Sequence, residues 1–566
     1  MPRTRTSLVA VAAAGLLAVG VTAATAGPSA PASLAPGFTK DISADLVAQV
    51  DPSKPRNVIL IIGDGMDDSM ITAARNYELG AGGRFAGLDS LPFTGAMTTY
   101  GLKAGAGPDY PIAYVSDSAP TASGWSTGKK TIDGRLSQGP SAAANVPGEN
   151  YETVLERYQE QGALVGNVST AELTDATPAA AAAHISQRAC QGPADMTNCA
   201  VEKKSATPAG LGSVAEQLVD HEIDVLLGGG KQRFAQATDA GPTVLDYAQD
   251  AHDYRVVEDA TALADVSSLA DGPVLGLFAN ANMTPRYQPL VATPPPGSGG
   301  PAYRCQDADR GTQPDLSAMT AKAIELLDNP NGFFLQTESA MIDKQEHSSD
   351  ICGAIGDLAE LDETVQVALE FQEANPDTLI IVTGDHAHST QIIGNPADDG
   401  RQTATVLTAD GDPMSVAYST NAVGSDHTGA QIRVAASGPQ AANVTGVIDQ
   451  TDLFRTLLGR TPSVLPGPGA PTPLKPSVGV AALERVAATT LRNRGLHVSV
   501  AAAGATSVKV QLLRQGRVLV TRTVRATGGD VRLRTARLVT GRLTVKVVAS
   551  GASGTATSAR KVVATR

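Results

Sequence analysis

Residues Asn57-Val58-Ile59-Leu60-Ile61-Ile62 form a continuous run that is apolar and largely β-branched after its first amide. No other stretch constrains the fold as strongly. A strand with one wet face alternates polar and apolar side chains. A strand that is apolar at every position is covered on both faces, as in a parallel sheet between two layers of helices. Gly63-Asp64-Gly65-Met66 ends the run abruptly, and Met70 to Leu79 then reads as a helix. An acid between glycines at the C-terminal end of such a strand sits where open α/β sheets place their ligands.

The same pattern recurs along the chain. Ala163 to Val168 reads as a strand, followed by a polar loop to Pro178 and an Ala-rich helix to Arg188. Ile223 to Leu227 and Val274 to Phe278 are strands. Leu316 to Leu327 is helical, and Phe333 to Glu338 is a strand ending on an acid. Asp357 to Phe371 is a long helix, Thr378 to Thr383 a strand ending at Gly384-Asp385-His386-Ala387-His388, and Thr451 to Leu458 a closing helix. Strands alternating with helices predict an α/β fold, a three-layer α/β/α sandwich.

At 566 residues more than one domain is expected. Arg3 and Arg5, the apolar stretch Leu8 to Val21 and Ala24-Thr25-Ala26 read as a signal peptide over 1–26, followed by a lead-in over 27–50. No other stretch is long and apolar enough to span a membrane. Four cysteines in an exported chain suggest two disulfides. Three pairings are open, and Cys190–Cys199 with Cys305–Cys352 is the simplest. The α/β pattern occupies 51–460, a Pro-rich linker 461–478, and a series of β-branched runs between glycine turns 479–566. This last region predicts a small all-β sandwich. It carries 16 Lys and Arg against Glu484 and Asp530, whereas the whole chain has a net charge of −13. Specific nucleic-acid binding is therefore not expected of the chain as a whole. The basic region reads either as an ordinary exported sandwich or as a module that docks to anionic wall polymer or to the acidic portion of the chain.

Tyr114 to Ser116 looks like a short strand, and Asp117-Ser118-Ala119-Pro120-Thr121-Ala122 can open a helix. Pro120 suits a first turn, where a missing N–H does no harm. Ser118 at a helix N-terminus lies beside free N–H groups that suit a phosphate. Taken alone, Ser118 is most simply a capping residue. His184 reads as a packed histidine, His221, His252 and His497 as surface residues, and Lys129 and Lys130 as a solvated helix end.

Acids and histidines gather at the strand ends. Asp343 and His347 are one helical turn apart, Asp385 and His386 follow a buried strand, and His427 lies in a polar loop. Asp with His suits zinc, whereas Glu338 and Thr177 offer the hard oxygens that suit magnesium. Together, Val58 to Met66, Asp117-Ser118-Ala119, Trp125-Ser126-Thr127-Gly128, Val168 to Pro178, Ile342 to His347, Thr383 to His388 and His427-Thr428-Gly429 resemble the bacterial alkaline phosphatases over roughly 56–460.

The resemblance implies a secreted phosphomonoesterase acting on small phosphate monoesters, with two zinc ions and one magnesium per chain and a homodimeric assembly. It casts Ser118 as the nucleophile that becomes phosphoserine and Arg188 as the bidentate phosphate grip. Asp343, His347 and His427 would hold one zinc, and Asp64, Asp385 and His386 the second. Asp64, Thr177 and Glu338 would hold magnesium. Asp117, Asp175, Lys344 and His388 would support these groups from behind. Pro120 and Gly124 depart from the small helix formers usual in the family. A phosphodiesterase or sulfatase of the same superfamily is the enzymatic alternative, although Ser118-Ala119-Pro120-Thr121-Ala122 lacks the arginine of the sulfatase motif. A phosphate-binding or wall-attached protein without catalysis is the alternative from another class.

Overall fold

The computed structural model describes residues 42–207, 209–294, 301–418, 420, 425–460, 476–551 and 554–566. The expected signal peptide, most of the lead-in and the linker through Lys475 lie outside the described residues. The chain divides into two compact units, one through Thr461 and one from Pro462.

The first unit is built on a ten-stranded sheet. In chain order its strands are β1 (Asn57–Gly63), β2 (Phe93–Thr98), β3 (Leu164–Glu172), β4 (Val225–Gly229), β5 (Arg255–Val257), β6 (Val274–Leu277), β7 (Phe333–Ser339), β8 (Thr378–Gly384), β9 (Ile432–Ser437) and β10 (Gly446–Asp449). Across the sheet the order is β10-β2-β9-β8-β1-β7-β3-β4-β6-β5. Every pairing is parallel except the two made by β9, which runs against β8 and β2.

The side chains of β1 account for the three layers. Val58, Leu60 and Ile62 pack with Trp125 and Ala179 to Ala183 on one face. Ile59 and Ile61 pack with Met70, Leu327, Ile355 and Leu358 on the other. All five β1 side chains are fully buried, so the unbroken apolar run is a strand with a hydrophobic layer on each side. The first layer contains α2 (Ser118–Thr127) and the short α3 (Ala176–Ala179). The second contains α1 (Asp68–Leu79), α4 (Leu316–Leu327) and α6 (Ile351–Ala374), with α5 (Met341–His347) leading into α6. The four cysteines form two disulfides, Cys190–Cys199 and Cys305–Cys352.

Local expectations fail at four places. The Ala-rich helix expected to reach Arg188 is the single helical turn α3, followed by turns. Ala180 to Ala183 are fully buried, and tertiary packing overrides their helix propensity. The strand expected at Tyr114 to Ser116 is instead a two-residue strand at Ile112–Ala113, and Tyr114 is exposed. Lys130 is not solvated. It pairs with Asp449 at 2.9 Å and lies over the Tyr100 ring. His221 and His252 are part-buried, with carboxylates nearby.

The second unit has a three-stranded sheet (Ser477–Ala482, Leu496–Ala503, Gly528–Leu533) and a five-stranded sheet whose longest strands are Gly541–Gly551 and Gly554–Thr565. Val498, Val500 and Leu533 of the first share one core with Val508, Val510, Val545 and Val547 of the second.

Candidate active site

The parallel register brings the acids of distant segments to one level. Gly63 lies between Ser339 of β7 and Gly384 of β8, so Asp64 and Asp385 leave the sheet side by side, one residue beyond. Glu338 is beside Ser169 of β3 on the next pairing, and Ser169 donates its hydroxyl hydrogen to Glu338 Oε2. Gly65 takes φ 70°, and a Cβ there would lie 3.1 Å from the Asp343 backbone. Glycine thus lets the turn after β1 press against α5, and its N–H donates to Asp385 Oδ1 at 2.9 Å.

Two clusters of ligand-type atoms result. In the first, His347 Nε2 is 3.0 Å from His427 Nε2, and Asp343 Oδ1 lies 3.5 and 3.3 Å from these nitrogens. His347 Nδ1 faces the Ser425 carbonyl at 3.1 Å, which leaves Nε2 to point inward as a lone pair. The His427 loop is held by Thr428 N–H donating to the Ala387 carbonyl at 2.9 Å. His388 Nε2 is 3.5 Å from the same Asp343 oxygen. Because Ser389 N–H donates to His388 Nδ1 at 2.8 Å, the ring proton sits on Nε2. His388 therefore turns an N–H and not a lone pair toward Asp343, without making a hydrogen bond to it. Burial, with Asp343 opposing, takes its pKa down to about 2, so the ring is neutral.

The second cluster is Asp64, Asp385 and His386, with His386 Nε2 3.4 Å from Asp64 Oδ1 and 3.3 Å from Asp385 Oδ2. Ser118 Oγ lies 3.4 Å from the same nitrogen. The α2 helix begins at Ser118, but its cap is Asp117, whose Oδ1 accepts the Ser118 N–H at 2.6 Å. The serine hydroxyl is not spent on capping. Pro120 falls in the first turn and removes no helical hydrogen bond. Gly124 is explained by Gln450, since a Cβ there would lie 2.8 Å from the buried amide side chain.

Asp117 Oδ1 also takes Arg188 Nη1 at 2.7 Å, and Asp175 Oδ1 takes Nη2 at 2.5 Å. Lys344 Nζ is 2.7 Å from Asp175 Oδ2. Burial raises the Asp175 pKa, but Lys344 and Arg188 outweigh it and hold the carboxylate far below its ordinary range. Glu338 is pushed up to about 8, chiefly by burial. Asp64 is raised by burial and by the neighbouring Asp343 and Asp385. Asp64 Oδ1, Thr177 Oγ1, Asp343 Oδ1 and Asp385 Oδ2 are buried without a hydrogen-bond partner. Unpaired buried oxygens of this kind are strongly disfavoured unless something cationic sits among them. The donor set, carboxylate with imidazole and carboxylate with hydroxyl, fits zinc and magnesium respectively.

Asp117, Ser118, Arg188, Asp343, Lys344, His347 and His427 line a cleft of about 680 Å³. Lys103, Asp133 and Asp426 also line it, and none of the three was expected from the sequence. Lys103 lies in a glycine-flanked loop with no periodic signal. Burial and the neighbouring Asp117 raise the pKa of Asp133.

The alkaline phosphatase family model matches residues 55–424. His427 lies just past that stretch, yet folds into the first cluster. Alkaline phosphatase H of Pseudomonas aeruginosa is 45% identical over 427 residues, covering 74% of this chain and 87% of its own length. The alkaline phosphatase of Escherichia coli is 45% identical over 441 residues, with 75% of this chain and 90% of its own covered. Streptomycin-6-phosphate phosphatase of Streptomyces griseus is 43% identical, with 72% and 90% covered. Among solved structures, the Thermus thermophilus alkaline phosphatase superposes with a TM-score of 0.53 at 21% identity, covering 76% of this chain and 95% of that one. This supports the fold. With a family model over most of the chain and relatives at this identity, the chain belongs to the alkaline phosphatase family.

Proposed function

We propose that the chain hydrolyses small phosphate monoesters through a phosphoserine formed on Ser118, outside the cytoplasm. Phosphomonoester hydrolysis is the activity of the family. The observation that carries the finer reading is the Ser118 hydroxyl, not used for capping, 3.4 Å from His386 Nε2 of the second ligand cluster at the positively polarised end of a helix. Asp343, His347 and His427 would hold one zinc, Asp64, Asp385 and His386 the other, and Asp64, Thr177 and Glu338 a magnesium. Such ions, when bound, supply Lewis-acid stabilisation of the attacking and leaving oxygens.

The chain's own residues do the rest. Ser118 Oγ forms the bond to phosphorus as the bond to the alcohol oxygen breaks. Water then takes phosphorus from Ser118 and releases inorganic phosphate. Arg188 turns its fork toward two phosphate oxygens, and Asp117 and Asp175 keep it in the cleft until then. The N-terminal end of the α2 dipole adds positive polarity beside the phosphate. Lys344 holds Asp175 ionised. The unit's two disulfides suit an oxidising compartment.

Trapping of phosphate on the protein tests this reading. The wild-type chain labels and Ser118→Ala does not, with activity reduced on the order of 10⁴-fold or more. A labelled Ser118→Ala variant would place the nucleophile elsewhere. In the second unit, Lys509, Lys546 and Lys561 alternate with the core-facing residues of three adjacent strands and so share the outer face of the five-stranded sheet. That face supports contact with an anionic wall polymer. Equal wall retention of the full chain and a form ending at Arg460 would exclude it.

A further inference from the structure

Three zinc-type donors converge in the first unit without using any residue of the cleft. Glu156 is in the first turn of the helix Val154–Glu160, His184 follows α3, and His221 caps the C-terminal end of the helix Val214–Asp220. Glu156 Oε1 is 3.0 Å from His184 Nε2 and 3.9 Å from His221 Nε2. The three ligand atoms all lie within 4.8 Å of one another. Tetrahedral ligands with bonds of about 2.0–2.2 Å stand roughly 3–3.6 Å apart, so only a small adjustment separates this arrangement from a coordination sphere.

A hydrogen bond between Glu156 and His184 accounts for two of the three groups. It does not account for His221, whose Nε2 is too far from Glu156 for a hydrogen bond and is turned toward the same point. The supporting contacts are also those of a ligand set. His184 Nδ1 faces the Ser137 carbonyl at 3.0 Å. With Nδ1–H donated there, an ion would take the place of the proton that Nε2 otherwise shares with Glu156, which leaves Nε2 as the ligand atom in the orientation of metal-bound histidines. Glu156 uses its other oxygen, Oε2, to accept the Thr153 N–H at 2.6 Å, so Oε1 is held in place. Gln217 clamps the His184 backbone from both sides, at 2.8 and 3.2 Å. Gln159 donates to the His221 carbonyl at 2.7 Å and ties the two helices together. The His184 side chain is 6% exposed, while Glu156 and His221 are 21% and 24% exposed, which gives an ion a route in from solvent.

We propose that Glu156, His184 and His221 form a separate site for a divalent transition ion of the zinc class, completed by water. Its role is structural. It links three segments that are distant in sequence and stabilises the fold in proportion to the free ion concentration.

The test uses the full chain, His221→Ala and Glu156→Gln, each equilibrated with zinc and magnesium and then analysed for metal content. Gln at position 156 keeps the helix cap, and His221 is part-exposed, so both variants are expected to fold. Phosphatase activity equal to wild type checks this. The wild-type chain is expected to hold one more zinc per chain than either variant. Its melting temperature should also keep rising with added zinc after activity has saturated, while the variants' melting temperatures stay level. Equal zinc content in the wild type and His221→Ala overturns the proposal, whatever the fate of the catalytic reading, because the comparison does not depend on how the cleft is occupied.

Discussion

Asp117 Oδ1 lies 2.7 Å from Arg188 Nη1 and is the same oxygen that accepts the Ser118 N–H. The proposed nucleophile and the proposed phosphate grip are thus referenced to one atom. Asp117→Ala should remove both the helix cap, worth about 1 kcal/mol, and one of the two carboxylates that hold the guanidinium. The expected outcome is a higher KM and weaker inhibition by inorganic phosphate, with phosphate still trapped on Ser118. Unchanged phosphate inhibition would mean that Arg188 is positioned by Asp175 alone.

Arg188→Lys keeps the charge but loses the planar fork. Two carboxylates, Asp117 and Asp175, would then compete for a single ammonium, and no second donor would remain for phosphate. A loss on the order of 10²–10³ in kcat/KM is expected, read from initial rates on a simple aryl phosphate.

Gly124→Ala sets helix propensity against packing. Alanine gains up to about 1 kcal/mol in a helix interior. The new methyl would meet Gln450 Cγ and Nε2 at 2.8 Å, and Gln450 is fully buried. Overpacking of this kind costs about 1–3 kcal/mol, so the net effect is destabilising. Adding Gln450→Ala should recover the loss. Melting temperatures of the single and double variants decide the sign, and an additive pair would contradict the clash.

Chelation should abolish hydrolysis and lower the melting temperature together. The reason is the set of buried, unpartnered oxygens on Asp64, Asp343, Asp385 and Thr177. Zinc with magnesium should restore both readouts. A chelated protein with its full activity and melting temperature would mean that these oxygens bind no ion.

Asp89 gives a pH dependence away from the cleft. It accepts from Arg75 Nε and Nη2 at 2.7 Å each, from Phe85 N–H at 3.0 Å and from Arg433 Nη1 at 3.1 Å, and so ties α1 to β9. Burial raises its pKa, but the Arg75 bonds, the Phe85 N–H and Arg433 bring it below the ordinary value. A depressed carboxyl contributes stability above its unfolded pKa of about 3.9 and loses it as pH falls through the folded value. Asp89→Asn should therefore cost about 1–3 kcal/mol near neutrality, and the gap to wild type should narrow below about pH 4. Denaturant midpoints across that range measure it, and a pH-independent gap would contradict the assignment.

The sequence alone was enough to determine six parallel strands of the central sheet, β1, β3, β4, β6, β7 and β8, and the residue types at their ends. Burial on both faces is a demand on each strand separately, so Val58 to Ile62, Phe333 to Leu335 and Leu379 to Val382 announce themselves locally, and a polar residue that stops such a run stands out. The donor types of the cleft followed for the same reason. Tertiary structure decided what no local pattern encodes. It added β2, β5, β10 and the antiparallel β9 to the sheet, stopped α3 after one turn where alanines predicted more, and gave the cap of α2 to Asp117, leaving the Ser118 hydroxyl free. It set Gly124 against Gln450, brought Lys103 and Asp133 to the rim, and turned His221 toward Glu156 and His184. Each of these depends on a partner far away in sequence. A side chain's neighbours across the fold are set by how layers pack, and packing is a property of the whole chain.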